Sequence, residues 1–169
     1  MASRLSIRNT KADDGKRIWR LAVDSGRLDV NSSYCYIMLC DYFSDTCFVA
    51  EIDGEAAGFV TSFIHPLNPE LLFVWQMAVA EEHRGQGIAE LLLHHLMESE
   101  SCKKVRYLET TVSPGNSASR RVLSKLSERI GTSMVISKGY TSALFPEGKH
   151  EEEPLIRLGP LQKTSIPTS

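Results

Sequence analysis

The residues of this chain whose types and spacing could do chemistry begin with Arg84-Gly85-Gln86-Gly87-Ile88-Ala89. Two glycines one residue apart let the backbone bend sharply and approach a ligand closely, because neither carries a Cβ. A helix opens directly after them. Its first amides have no intrahelical partner, and its dipole leaves that end partly positive. With Arg84 adding charge, the turn is an anion site suited to a pyrophosphate. The same residues also suit a helix start that simply needs flexible backbone, and a lone Gly-x-Gly does not separate the two. A dinucleotide-binding Gly-x-Gly-x-x-Gly turn is the poorer match, since the third glycine is missing and no βαβ unit precedes it.

Other chemistry-bearing residues are scattered. Glu109 lies within the strand stretch Val105 to Val112, in its otherwise uncharged part Leu108-Glu109-Thr110-Thr111-Val112, where a lone carboxylate is costly unless a cation meets it; the plainer alternative is an outward-facing strand residue. Asp29 precedes two strong capping residues, Asn31 and Ser32, and is equally readable as an ordinary loop carboxylate. Tyr34, Tyr36 and Tyr42 could line a polar pocket with Asp29, or form the aromatic face of a helix. Trp75 could wall a pocket and meet an ammonium by cation–π contact, or fill the core. His150, in Lys149-His150-Glu151-Glu152-Glu153, reads most simply as a surface histidine in a charged loop. Cys35, Cys40, Cys47 and Cys102 match no zinc spacing, and Cys35 and Cys40 read as small apolar groups.

The elements that must position these residues follow from periodicity. Leu72 to Val79 is an apolar and aromatic run broken only by Gln76, of strand length and composition. It leads through the glycine turn into a helix with Ile88, Leu91, Leu92 and Leu96 on its apolar face. Upstream, Leu5 to Arg8 is a first strand, and Asp13-Asp14-Gly15 starts a helix carrying Ile18, Leu21 and Ala22. Leu28 to Ser33 is a polar break with two capping residues, Asn31 and Ser32, and a second helix follows, carrying Tyr34, Tyr36, Ile37, Met38 and Tyr42. Thr46 to Ile52 and Ala56 to His65 are strands joined at Asp53-Gly54, a dipeptide suited to a type I′ hairpin turn. Downstream come a strand over Val105 to Val112, a helix from Ser117 to Ile130 capped by Asn116, and short strands over Met134 to Ile136 and Leu155 to Leu158. On that helix Leu123, Leu126 and Ile130 share one side. Residues 1–161 read as one mixed α/β domain, and 162–169 as a frayed tail.

Composition narrows the function classes. The 169 residues are 42% hydrophobic and 24% charged with a net charge of −2, which gives a globular domain and no basic field for nucleic acid. No apolar run reaches the roughly 18 to 20 residues of a membrane helix. Met1 to Thr10 lacks the apolar core of a signal peptide, so a cytoplasmic protein with reduced thiols is expected.

Arg84-x-x-Gly87-x-Ala89 after an apolar strand resembles the acetyl-CoA pyrophosphate loop of the GCN5-related N-acetyltransferases. The order of elements resembles that fold over nearly the whole chain. The resemblance implies a mixed central sheet whose fourth and fifth strands splay apart, with acetyl-CoA inserted between them. Three further blocks resemble one branch, the L-2,4-diaminobutyrate acetyltransferases of ectoine biosynthesis: Leu28 to Tyr34, Phe73 to Val79, and Leu108 to Val112 followed by Asn116-Ser117-Ala118-Ser119. By that resemblance, Met77, Ala78, Val79, Arg84, Gly85, Gln86, Gly87, Ile88, Ala89, Asn116 and Ser119 bind acetyl-CoA. Asp29, Tyr34, Trp75, Glu109 and His150 bind a diamine, His150 at its carboxylate, and a homodimer without metal is expected.

Acetyl transfer to an amine makes its own demands. An alkylammonium with a pKa of about 10.4 is neutral in roughly one molecule of a few thousand at pH 7. A carboxylate, a tyrosine or an ordered water must therefore accept its proton. Glu109 is the best candidate, as base or as counter-charge. A backbone amide near Met77 or Ala78 would bond the thioester oxygen as charge develops on it. Many family members carry a tyrosine that protonates the leaving thiolate; here that position is Leu123, so coenzyme A would leave as thiolate or find another donor. Two alternatives stay open: an acetyltransferase for another small amine, such as a polyamine or ornithine, and a non-catalytic acyl-CoA-binding module.

Overall fold

Residues 2–162 are described by the computed structural model, in which contacts divide the chain into two units. One holds the residues up to Ile64 together with Val74–Cys102, and the other holds His65–Phe73 and the residues from Lys103 on.

In the first unit β1 (Leu5–Asn9) pairs antiparallel with β2 (Phe48–Ile52), and β2 pairs antiparallel with β3 (Glu55–Ile64). Asp53 and Gly54 join the last two with φ of 50° and 87°, the positive values that a type I′ turn requires at both central residues. The helix α1 (Gly15–Ser25) ends at Gly26, in left-handed conformation as its C-cap. The helix α2 (Ser33–Tyr42) starts where expected, the Ser32 side chain accepting from the Cys35 amide. Ile18 and Ala22 of α1, Tyr36 and Cys40 of α2, and Phe59 of β3 make a buried cluster, with Trp19, Leu28, Trp75 and Ala78 packed against it. Beside it, Asp14 is almost wholly buried yet bonded by Arg8 at 2.8 and 2.9 Å and by Arg17 at 3.3 Å. Burial works against its charge, but Arg8, the Lys11 amide and Arg17 together hold the Asp14 carboxyl below its usual range.

The strand β4 (Leu71–Val79) gives its Val74–Val79 stretch to this unit and leads into α3 (Ile88–Glu98). Gly58 is needed where α3 comes over β3, since a Cβ there would stand 3.3 Å from Ile88 and Leu92 and 3.1 Å from the Ala78 carbonyl. The buried face of α3 is Ile88, Leu92, Leu93, Leu96 and Met97. Leu91, expected on that face, is 38% exposed. The ridge Ile88–Leu92–Leu96 is its centre, and the neighbours on the Leu93 side turn inward instead of those on the Leu91 side.

In the second unit β5 (Tyr107–Thr111) pairs antiparallel with β7 (Glu153–Gly159), and β7 with β6 (Ser133–Tyr140). The helix α4 (Ser117–Ile130) is capped by Asn116, whose side chain accepts from the Ser119 amide at 3.2 Å. Leu123 and Leu126 are buried, whereas Ile130 in the last turn is 38% exposed. Both final strands run longer than their apolar runs, because β6–β7 pairing continues past a register shift between Ser137 and Tyr140. The strand order runs β1-β2-β3-β4 through the first unit and β5-β7-β6 in the second, a mixed α/β arrangement with flanking helices. The tail expected over 162–169 lies outside the described residues except for Gln162.

Candidate active site

The glycine turn has the backbone its residues imply. Gly85 and Gly87 have φ of 76° and 81°, and Gly87 is the N-cap of α3. A Cβ on either would meet no protein atom within 4 Å, so conformation demands glycine there and the space beside the backbone is open. Arg84 reaches back, its Nε donating to the Val79 carbonyl at 3.3 Å, so the end of β4 and the turn are tied together. Met77, Ala78 and Val79 are half-buried at that end of the strand.

Within the same unit, Gln76 is the polar residue of an apolar strand, and it is buried with its polar groups bonded. Its side-chain oxygen accepts from the Tyr36 hydroxyl at 2.9 Å, and its side-chain nitrogen donates to the Asp29 carbonyl at 2.8 Å. Its main chain is held by Thr61, whose hydroxyl accepts from the Gln76 amide at 3.3 Å and donates to its carbonyl at 3.2 Å. The Asn31 amide donates to the Tyr36 hydroxyl at 3.4 Å. Asp29 is thus an exposed residue whose backbone is bonded to a buried strand. Trp75 is half-buried, with its ring 5.9 Å from that of Tyr36.

The three tyrosines of α2 part company. Tyr36 is wholly buried, while Tyr34 and Tyr42 are exposed at 76% and 82%. Burial pushes the Tyr36 phenol up, against the bond from Asn31 and the bond to Gln76, so it serves as a hydrogen-bonding post rather than a base.

In the second unit Glu109 is 8% exposed and already has a cation. Arg157 stands opposite it across the β5–β7 pair, and both Nε and Nη2 donate to Glu109 Oε1, at 2.8 and 2.5 Å. The Arg157 guanidinium also lies 5.1 Å from the Tyr107 ring centre. The cation that a carboxylate in this stretch requires is supplied by the chain itself. Both bonds fall on Oε1, which makes Oε2 the oxygen that can meet an amine.

His150 stacks on Phe145 with ring centres 4.0 Å apart and planes at 12°. Its Nδ1 lies 2.6 Å from the Glu151 carbonyl, an acceptor only, so that nitrogen carries the proton. Neutral His150 then has its lone pair at Nε2, and only the imidazolium presents a second N–H to a carboxylate. Asn116 spends its side-chain oxygen on the Ser119 amide, and Leu123 is a core residue 3% exposed. Cys40 and Cys47 are buried, which pushes their thiols up to about 12 and about 11. Among the described residues no group of histidine, cysteine or carboxylate side chains could hold a metal.

The structure therefore joins Asp29, Tyr36 and Gln76 in one hydrogen-bonded assembly, with Trp75 beside Tyr36, and Glu109 in another with Arg157. Tyr34, on the first turn of α2, is exposed and, among the described residues, makes no hydrogen bond to that first assembly. Arg157 was not legible in the sequence, because pairing it with Glu109 needs the register of β7.

A turn of this kind after an apolar β4, with α3 opening on it, is the signature of a class. The model of the Acetyltransferase (GNAT) family matches residues 15–127, and the chain belongs to that family. Solved structures of more distant relatives share the fold: Ard1 from Thermoplasma volcanium superposes with a TM-score of 0.76 over 94% of this chain and 99% of that one, at 14% identity. Within the family the similarity is narrower. The L-2,4-diaminobutyric acid acetyltransferase of Shouchella clausii is 44% identical over 158 residues, 94% of this chain and 88% of that protein. That of Marinococcus halophilus is 44% identical over 151 residues, 89% of this chain and 87% of the relative. The diaminobutyrate acetyltransferase EctA from Paenibacillus lautus, solved with its substrate L-2,4-diaminobutyric acid and coenzyme A, is 47% identical. It covers 97% of this chain, which covers 99% of it, with a TM-score of 0.92.

Proposed function

We propose that this chain is a single acetyltransferase domain, 1–161, that transfers the acetyl group of acetyl-CoA to the γ-amino group of L-2,4-diaminobutyrate for ectoine biosynthesis. The observation that carries the proposal is the end-to-end similarity, at 47% identity, to an enzyme solved with that diamine and coenzyme A. Open space beside Gly85 and Gly87 and the positive end of α3 support a pyrophosphate there, with Arg84, Gln86, Ile88 and Ala89 completing the turn. Met77, Ala78 and Val79 would border the pantetheine arm, and Asn116 and Ser119 would contact coenzyme A from α4. A main-chain amide near Met77 or Ala78 would stabilise the oxyanion as the amine attacks the thioester carbon.

Asp29, Tyr34, Trp75, Glu109 and His150 would hold the diamine. Glu109 acts through Oε2, as counter-charge to the ammonium or as acceptor of its proton through a water. His150, as imidazolium, would meet the carboxylate. No general acid is assigned, because Leu123 is core; coenzyme A leaves as thiolate and takes its proton from solvent. The active protein is a homodimer in the cytoplasm; no described helix is long and apolar enough to cross a membrane.

Turnover of L-2,4-diaminobutyrate with acetyl-CoA, with NMR of the product to locate the acetyl group, tests the reaction. Equal kcat/KM for putrescine would sink the diaminobutyrate assignment, and no turnover with any amine would favour an acyl-CoA-binding module. Glu109→Gln should lower kcat/KM by about a hundredfold or more while leaving acetyl-CoA affinity near wild type. Unchanged turnover would remove Glu109 from the mechanism.

A further inference from the structure

Gln76 makes two side-chain bonds that connect three separate parts of the chain. Its Oε1 takes the Tyr36 hydroxyl of α2 and its Nε2 holds the Asp29 carbonyl, while Thr61 of β3 fixes its main chain. The loop before α2 has exposed side chains at Asp29, Val30 and Asn31 and so gains little from packing. Its backbone is nevertheless bonded at the Asp29 carbonyl and at the Asn31 amide, in both cases to the Gln76–Tyr36 pair. A buried amide costs free energy unless both its ends are satisfied, and here both are. The strand position needs no polar residue for core packing, since its apolar neighbours Val74 and Ala78 fill that role.

We infer that Gln76 is a positioning residue: through its bond to the Asp29 carbonyl it sets where the Asp29 side chain stands, and so tunes affinity for the amine. This inference rests on the diamine reading given above. Gln76 itself touches neither substrate in this scheme. Because the same residue sits between Trp75 and Met77 on β4, the strand that borders the cofactor also fixes the loop that meets the acceptor.

Steady-state kinetics on the full chain separate this role from a merely structural one. Gln76→Met keeps volume and removes both bonds, and should raise KM for L-2,4-diaminobutyrate roughly tenfold, the scale of a lost buried hydrogen bond. KM for acetyl-CoA should stay within about twofold, because the glycine turn bonds to Val79 and not to Gln76. Tyr36→Phe keeps the bond to the Asp29 carbonyl and should change the amine KM less than Gln76→Met does. In an Asp29→Asn background the effect of Gln76→Met on the amine KM should shrink, since the positioned group is already lost. The inference is overturned if Gln76→Met leaves the amine KM unchanged, raises both KM values alike, or adds independently to Asp29→Asn. If Gln76→Met does not fold, Gln76→Glu carries the same comparisons, as it keeps an acceptor for Tyr36 but no donor for Asp29. A wild type inert to L-2,4-diaminobutyrate overturns both this inference and the function. An active wild type with indifferent Gln76 variants overturns the positioning role alone.

Discussion

Arg157→Gln removes the guanidinium that meets Glu109 and leaves that carboxylate, 8% exposed, without another ion pair among the described residues. Breaking a fully buried ion pair costs about 3 to 5 kcal/mol, because one charge is left uncompensated. The Arg157 side chain is 49% exposed, so solvent screens much of the pair and the cost must be discounted. About 1 to 2 kcal/mol is then the expected loss, overlapping only the lower end of the roughly 1.5 to 3 kcal/mol of hydrogen bonds to charged groups. For a domain of this length each kcal/mol shifts Tm by about 2 to 4 °C, so the variant should melt roughly 2 to 8 °C below wild type. The diagnostic measurement is the double variant. If the loss comes from stranding Glu109, then Glu109→Gln in the Arg157→Gln background should recover most of it, because the uncompensated charge is gone. Calorimetry or thermal circular dichroism reads both. A double variant that melts no higher than Arg157→Gln would refute the reasoning, and equal melting would place the loss in the arginine's own contacts, such as that with Tyr107.

Two further outcomes follow from the geometry. Gly87→Ala forces a Cβ onto φ of 81°, at a cost of about 1 to 2 kcal/mol, and should raise KM for acetyl-CoA more than KM for the amine; equal effects on both would count against a phosphate role for the turn. Asp14 has its carboxyl lowered in the folded state, so its stabilisation is complete above the unfolded value near 3.8 and is lost as pH falls through the folded value. Asp14→Asn should therefore melt well below wild type at pH 7 and approach it in strong acid. A stability gap independent of pH would show that shape, not charge, is what Asp14 contributes.

Much of the fold was legible because its signals are local. Asp53-Gly54, Ser32 and Asn116 each specify a turn or cap through their own backbone or side chain, and each does so in the structure. Gly85 and Gly87 were legible for the same reason. Leu91 was misjudged because two adjacent leucines, Leu92 and Leu93, make the apolar stripe wide enough to permit either orientation, and packing on β3 decided it. The extents of β6 and β7 were underestimated because their exposed ends, such as Ser137 and Tyr140, are held by pairing rather than by hydrophobicity. The partners of Glu109 and of Gln76 depend on residues 48 and 40 or more positions away, so no spacing rule reaches them. His150 read as a surface residue, and its stack on Phe145 depends on how residues 141–152 fold back.

The burial of the cysteines bears on something the proposed reaction would do to its own surroundings. Every turnover releases coenzyme A, a free thiol, beside the protein that made it. Once oxidised to a disulfide, that thiol exchanges only with a protein thiolate it can reach. Cys40 and Cys47, with thiols at about 12 and about 11, are almost entirely protonated at neutral pH and shielded from contact. Cys35, partly accessible, is also pushed up by burial. Burial thereby shields Cys40, Cys47 and Cys102 from thiolation by that by-product, and Cys35 is the described cysteine left partly accessible to it.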